Sequence, residues 1–158
     1  RCYDNQLFNY PDDKVKIIFI PSYLNGNDGI FNLPYYDLLA GLDLSVFASY
    51  YEPWGYTPME SIAFQVPTIT TTLAGFGLWI KNHNKSHKSV MVIDRNDFNF
   101  HEVKENITTL ISDFCSLSKT ELNKYAVNAE ALAKTCLWRE FISYYHKAYS
   151  IALTKKSK

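Results

Sequence analysis

The sequence predicts an α/β fold in which a parallel sheet carries helices on both faces. Short apolar or β-branched runs at residues 15–20, 44–48, 67–71 and 90–93 alternate with segments of helical period. Loops containing Gly, Pro, Asn or Asp close the carboxyl ends of these runs. Parallel strands need crossover connections, and the intervening helical segments supply them.

In chain order, residues 1–13 are polar, and Pro11-Asp12-Asp13 reads as a surface turn. Residues 15–20 (VKIIFI) predict a buried strand stopped by Pro21. Residues 25–29 are loop, and residues 34–42 a short helix with Leu38 and Leu39 inward and Gly41 near its end. A second buried strand spans 44–48, with Val46 and Phe47 inside it. Pro53 and Gly55 then break the strand. Thr57 suits an N-cap, Pro58 the first helical position, and Glu60 falls three residues after Thr57, completing a capping box. Met59, Ile62, Ala63 and Phe64 give the helix that follows an apolar face.

Residues 67–71 form a β-branched third strand, followed by a loop over 72–77 and a helix through Leu78, Trp79 and Ile80. Residues 82–88 read as polar loop and 90–93 as a fourth strand, ended by Asp94-Arg95-Asn96. From Phe100 onward, Val103, Ile107, Leu110, Ile111 and Phe114 share one helical face. Ser118 caps the next helix, with Glu121 as its reciprocal partner, and that helix runs to about Ala133. A last helix over 138–153 carries Phe141, Ile142, Tyr145 and Tyr149, and residues 154–158 are expected to be a disordered tail. Residues 1–153 read as one domain, without internal repeats.

The 158 residues suffice for a sizeable core. A formal net charge of zero gives no support to a nucleic-acid footprint. Cys2, Cys115 and Cys136 lie far apart and are odd in number, which argues against a disulfide framework and for free thiols in a reducing cytoplasm. No run approaches the length of a membrane-spanning helix and no signal-like start is present, so a cytoplasmic location without membrane contact is expected. There is no Asp-x-Asp triplet and no His or Cys cluster, so no metal site is expected. His83, His87, His101 and His146 lack ligand spacing and receive no role. The opening Arg1-Cys2, without Met, suggests a piece of something longer.

The chemistry concentrates in residues 44–64. A strand that ends in a Gly-containing loop and runs into a helix directs free backbone N–H groups at the sheet edge, which makes an anion site. Glu52 beside it suggests work on a phosphate-bearing substrate, although a solvated loop glutamate and a capping Glu60 would give the same letters. Ligands in such sheets bind at the carboxyl ends of the strands. Three loops are expected to converge there, over 21–25, 49–57 and 72–77.

The string Ser49-Tyr50-Tyr51-Glu52-Pro53-Trp54-Gly55-Tyr56-Thr57-Pro58, with Glu60 after it, closely resembles the nucleotide-sugar motif of the eukaryotic, UDP-glucose-using glycogen synthases. Residues 67–72 (PTITTT) with Gly75-Phe76-Gly77 resemble the family's next motif, in the right order and at the right distance. Residues 15–25, residues 35–37 and the Leu137-Trp138-Arg139 helix start are also similar, so the resemblance covers roughly residues 5–153. It implies a Rossmann-like sheet, part of the C-terminal domain of a GT-B glycosyltransferase, without that domain's first strand–helix units.

Activity and site roles follow as implications of that resemblance. The parent would be a retaining glycosyltransferase moving glucose from UDP-glucose to the non-reducing end of an α-1,4-glucan such as glycogen, without a further cofactor. Glu52 would be catalytic, beside the transferred sugar. Gly55, Tyr56 and Thr57 would hold the diphosphate, and Glu60 the ribose. Tyr35 would stack on uracil, with Tyr23 in the same pocket, unless Tyr35 only packs under a loop. Trp54 would line the sugar or diphosphate site, or wedge the loop. Gly75 and Gly77 would permit close approach on the acceptor side.

Two departures from the family pattern stand out. The basic residues that neutralise the diphosphate, and the N-terminal domain that supplies most of the acceptor pocket, are not in this chain, so it should be inactive alone. The family's arginine-rich regulatory helix is replaced by residues 118–135 with only Lys119, Lys124 and Lys134 as cations, so activation by glucose 6-phosphate should be missing. ADP-glucose or another acceptor stays open within the enzyme reading. Outside it stand a non-catalytic nucleotide- or glucan-binding protein, and a scaffold forming homo-oligomers through Phe141, Tyr145 and Tyr149.

Overall fold

A computed structural model describes residues 2–83 and 88–155. The chain divides into two compact units, one ending at Leu38 and the other starting at Leu39.

The first unit is built from turns held by side chains. A short 3-10 turn spans Tyr3–Asn5. The Asp28 carboxylate accepts the amides of Ile30, Phe31 and Asn32 at 2.9, 2.8 and 3.0 Å, folding the loop onto itself. Residues 15–20 do not form the expected buried strand. Val15 and Phe19 are 58% and 78% exposed. A strand needs a ladder partner, and the backbone of Ile17 has a different one. Its N–H donates to Asn9 Oδ1 at 2.8 Å, and its carbonyl accepts from Asn9 Nδ2 at 2.7 Å. The side-chain amide substitutes for a neighbouring strand. Helix α1, Tyr35–Leu39, is shorter than the sequence suggested.

The second unit contains a parallel three-stranded sheet, β1 (Ser45–Phe47), β2 (Thr68–Thr71) and β3 (Val90–Ile93), in that order. Ser45 pairs with Thr68, and Thr68 with Val90. Central β2 is buried along its whole length, as a β-branched run at the middle of a sheet should be. β1 departs from the expected buried strand. It lies at the edge with only β2 beside it, so Val46 is 40% exposed and Ser45 is the buried residue. The Ser45 hydroxyl bonds that of Ser61 at 2.6 Å, tying β1 to the helix behind it.

Helices cover both faces. On one, Ile62 of α2 (Tyr56–Ala63), Phe76 and Ile80 of α3 (Gly75–His83), and Ala129 and Leu132 of α5 (Lys119–Ala133) pack with Val90 and Cys136. On the other, Val103, Ile107 and Leu110 of α4 (Phe100–Cys115) pack on Ile69, Met91 and Ile93. Ile111, expected on that inward face, is exposed, as are Ala63 of α2 and Phe64 after it, while the buried positions of α2 are Pro58, Ser61 and Ile62. At the start of α5 the Ser118–Glu121 capping box forms as expected. Helix α6 runs over Trp138–Lys155, two residues further than expected. The rest of the proposed tail, 156–158, lies outside the described residues, as do His87 and most of the proposed 82–88 loop, of which Asn82 and His83 belong to α3. No described helix is long and apolar enough to cross a membrane.

Candidate active site

Each parallel strand hands the chain to a loop at its carboxyl end, and the loops after β1 and β2 meet at Glu52. The loop after β1 is locked to the loop after β2 by a short parallel bridge between Glu52 and Ala74. The Glu52 N–H donates to Leu73 O at 3.1 Å, and the Gly75 N–H to Glu52 O at 3.1 Å. A further bond, Phe76 N–H to Trp54 O at 2.6 Å, continues the tie into α3. Helix α3 therefore starts at Gly75, not after residue 77, and its glycines sit in the first turn. A Cβ on Gly75 would clash with the carbonyl of Pro53, and one on Gly77 with the carbonyl of Thr71. Both glycines are required by the chain's own backbone, which lets α3 press against the Glu52 loop and the end of β2.

Helix α2 also begins earlier than the sequence suggested. Its N-cap is Gly55, in the left-handed region at φ 98°, ψ 80°, and no side chain caps it. The capping box between Thr57 and Glu60 does not form. Thr57 and Pro58 are the second and third helical residues, where the missing Pro58 N–H costs nothing. The first-turn amides of Tyr56 and Thr57 have no acceptor within the helix, so this end presents donors and the positive pole of the dipole. Among the described residues no hydrogen bond or ion pair engages the half-buried Glu60 carboxylate. Its alternative explanation as a cap is gone.

The Glu52 side chain lies against this helix start. An added Cβ on Gly55 would sit 3.3 Å from Glu52 Oε2, close enough to displace it. The Ser49 hydroxyl donates to the same oxygen at 3.2 Å. Glu52 is half-buried, between a fixed loop and a dipolar helix end. An anion bound at the amides of Tyr56 and Thr57 would stand next to this carboxylate. A substrate with a developing positive centre and a negative leaving group fits such a pair.

The remaining candidates divide. Trp54 turns its ring away from the loop into an aromatic cluster with Phe76, Trp79 and Phe141, at centroid distances of 5.9, 6.2 and 5.4 Å. There it wedges the loop onto α3 and α6. Beside the wedge lies an apolar cavity of about 440 Å³, lined by Trp54, Tyr56, Met59, Cys136, Phe141 and Tyr145 among others. Tyr56 is exposed at its rim. Of the stripe on α6, Phe141 is half-buried in this cluster, and Tyr145 and Tyr149 are exposed. Tyr23, 93% exposed, and Tyr35, whose ring lies 5.2 Å from that of Tyr36, belong to the first unit.

Sequence reasoning missed Arg95. It follows β3 within an Asp-Arg-Asn string that reads as an ordinary turn, yet it is only 7% exposed. Its guanidinium donates from Nη1 to Ala48 O at 2.8 Å and lies 3.6 Å from the centroid of the Tyr50 ring. No sequence pattern announces this, because the partners lie 45 and 47 residues upstream.

Comparison with known proteins places these features in a family. A profile described as "Glycogen synthase" matches residues 2–157. The glycogen (starch) synthase of Neurospora crassa is 36% identical over 152 residues, covering 95% of this chain and 22% of that protein. The Caenorhabditis elegans glycogen (starch) synthase is 34% identical over 151 residues, 94% of this chain and 22% of the relative. The liver glycogen (starch) synthase of Mus musculus is 31% identical over 151 residues, 94% and 21% respectively. The chain thus spans about a fifth of the length of the curated relatives it matches.

Proposed function

The chain belongs to the glycogen synthase family, and from that premise we propose that it forms the nucleotide-sugar side of the active site in a longer, retaining GT-B glucosyltransferase. The donor is UDP-glucose and the acceptor the non-reducing end of an α-1,4-glucan. The observation that carries this reading is the Glu52 carboxylate set against the uncapped, left-handed start of α2.

In this reading the diphosphate lies over Gly55, Tyr56 and Thr57, where helix-start amides and the dipole stabilise the leaving group as its charge grows. Glu52 faces the anomeric carbon, and its carboxylate stabilises or orients the oxocarbenium-like centre. Glu60, freed from capping, bonds the ribose. Tyr35 stacks on uracil, with Tyr23 in the same pocket. Trp54 contributes by holding the loop from behind. The chain alone transfers no glucose, because the cations for the diphosphate and most of the acceptor pocket come from the rest of the longer protein. That protein works in the cytoplasm, without activation by glucose 6-phosphate.

The test is glucose incorporation into glycogen by the longer protein, with UDP-glucose and ADP-glucose in parallel. Transfer from UDP-glucose is expected, and Glu52→Ala should reduce it by about a thousandfold, the scale of losing one electrostatic contributor at a reacting centre. Nucleotide binding without transfer from either donor would overturn the synthase reading.

A further inference from the structure

We infer that Arg95 is a positioning residue for Glu52, acting through Tyr50 and Ala48. The catalytic part of this inference rests on the role proposed for Glu52 above.

Arg95 is a costly residue where it stands. Burying a guanidinium is expensive unless a carboxylate pairs with it. Among the described residues no carboxylate does. Its compensation is one carbonyl, Ala48 O, and one ring face, Tyr50. Its Nε is buried without a partner among the described residues. It belongs to neither apolar cluster that holds the sheet to its helices. What it does is reach from the end of β3 to the chain as it leaves β1. Its own backbone is fixed in turn, through its N–H to Thr72 Oγ1 at 3.0 Å.

The segment it reaches is held at nearly every residue. Ala48 is tied by Arg95 Nη1. The Ser49 carbonyl accepts from the Thr71 hydroxyl at 2.9 Å. The Tyr50 ring lies on the guanidinium. Glu52 is laced to Leu73 and Gly75 through its backbone. Tyr51 is exposed. The Ser49 hydroxyl is the donor to Glu52 Oε2, so the placement of Ser49 sets the placement of the carboxylate. Ser49 lies between the two residues that Arg95 grips. Release of that grip leaves Ser49 on its Thr71 bond with neither neighbour anchored, so it can shift, and a displacement of about 1 Å at a reacting group costs on the order of a hundredfold in rate.

The experiment uses the longer protein that carries this chain, with steady-state kinetics and amide hydrogen exchange on the same variants. Arg95→Met should lower kcat about a hundredfold while KM for UDP-glucose stays within about threefold. Tyr50→Leu should give a similar loss, and the double variant no more than either alone, as expected of residues acting as a unit. Tyr50→Phe keeps the ring and should stay within about twofold of the parent. In Arg95→Met and Tyr50→Leu the amides of Glu52 and Gly75 should exchange at least about tenfold faster, with those of β2 unchanged. Should Arg95→Met fail to fold, the two Tyr50 variants decide. Unaltered kcat and exchange in a folded Arg95→Met or in Tyr50→Leu would overturn the inference. A parent that transfers no glucose would remove the proposed function, and the exchange data alone would then decide whether Arg95 fixes the loop.

Discussion

Ser118 with Glu121 ahead of α5, and Thr57 with Glu60 in α2, are the same capping signature at the same spacing, yet only the first behaves as one. At α5 the Ser118 N–H donates to Glu121 Oε2 at 2.9 Å, its hydroxyl to the same oxygen at 2.6 Å, and the Glu121 N–H returns to Ser118 Oγ at 3.4 Å. That segment is an exposed turn with nothing to overrule the local preference. At α2 the chain arrives from a loop already fixed by Leu73, Gly75 and Phe76, and it reaches helical geometry at Tyr56 through a left-handed glycine. The difference shows when a cap signature can be trusted. It holds where the turn is free to choose, and fails where neighbouring backbone has decided the approach. The failure leaves two polar side chains and a set of helix-start amides uncommitted to a cap.

The two caps can be pulled further apart by substitution. Gly55→Ala forces a left-handed backbone on a residue with a Cβ and presses that Cβ on Glu52. It should lower the unfolding free energy by about 2 kcal/mol in denaturant titration. Ser118→Gly, the matching change at the other cap, should cost only about a few tenths of a kcal/mol.

Removal of the hydroxyls gives the opposite ranking. Ser118→Ala should cost about 1 kcal/mol, the usual loss of an N-cap. Thr57→Ala should leave stability within about 0.5 kcal/mol, because Thr57 caps nothing. Equal losses at the two positions would mean that the α2 box forms in solution, and Glu60 would return to being a cap.

The smallest effect is in pH. The Ser118 hydroxyl and then the Ser118 amide bond the Glu121 carboxylate and hold its pKa below the usual glutamate range. A folded value that is depressed contributes stability above the unfolded value of about 4.3, and the contribution is lost as pH falls through the folded value. Thermal melts from neutral to acid pH should therefore show the advantage of the parent over Glu121→Gln shrinking below about pH 4.

Much of the sheet and its helices was legible, for reasons specific to each element. β2 and β3 are short, largely β-branched runs closed by Thr72 and Asp94, and strands with helices packed on both faces need no more than that. α4 and α5 are long, periodic and set in polar surroundings. The burial of β1 was not legible, because the letters of residues 44–48 do not reveal that Ser45, bonded to Ser61, takes the buried position and leaves Val46 exposed. The run at 15–20 has the composition of a strand, and only the Asn9 amide shows where its backbone bonds go. Within the site, the Glu52 string stood out by its aromatic, Pro and Gly content. Trp54 could be read as a wedge or a wall, and the ring cluster favours the wedge. Arg95 was invisible, since its role depends on contacts that sequence spacing does not encode.

The bridge between Glu52 and Ala74 makes the two loops beyond β1 and β2 share one length. One residue gained or lost between Thr71 and Gly75 would break the bonds at Leu73 and Gly75 and displace Glu52 as well, though the deletion lies some twenty positions downstream. Neither turn can change size without the other. Insertions and deletions should therefore be tolerated best in turns that carry no such crosslink, and transplanting either loop into a relative requires moving both.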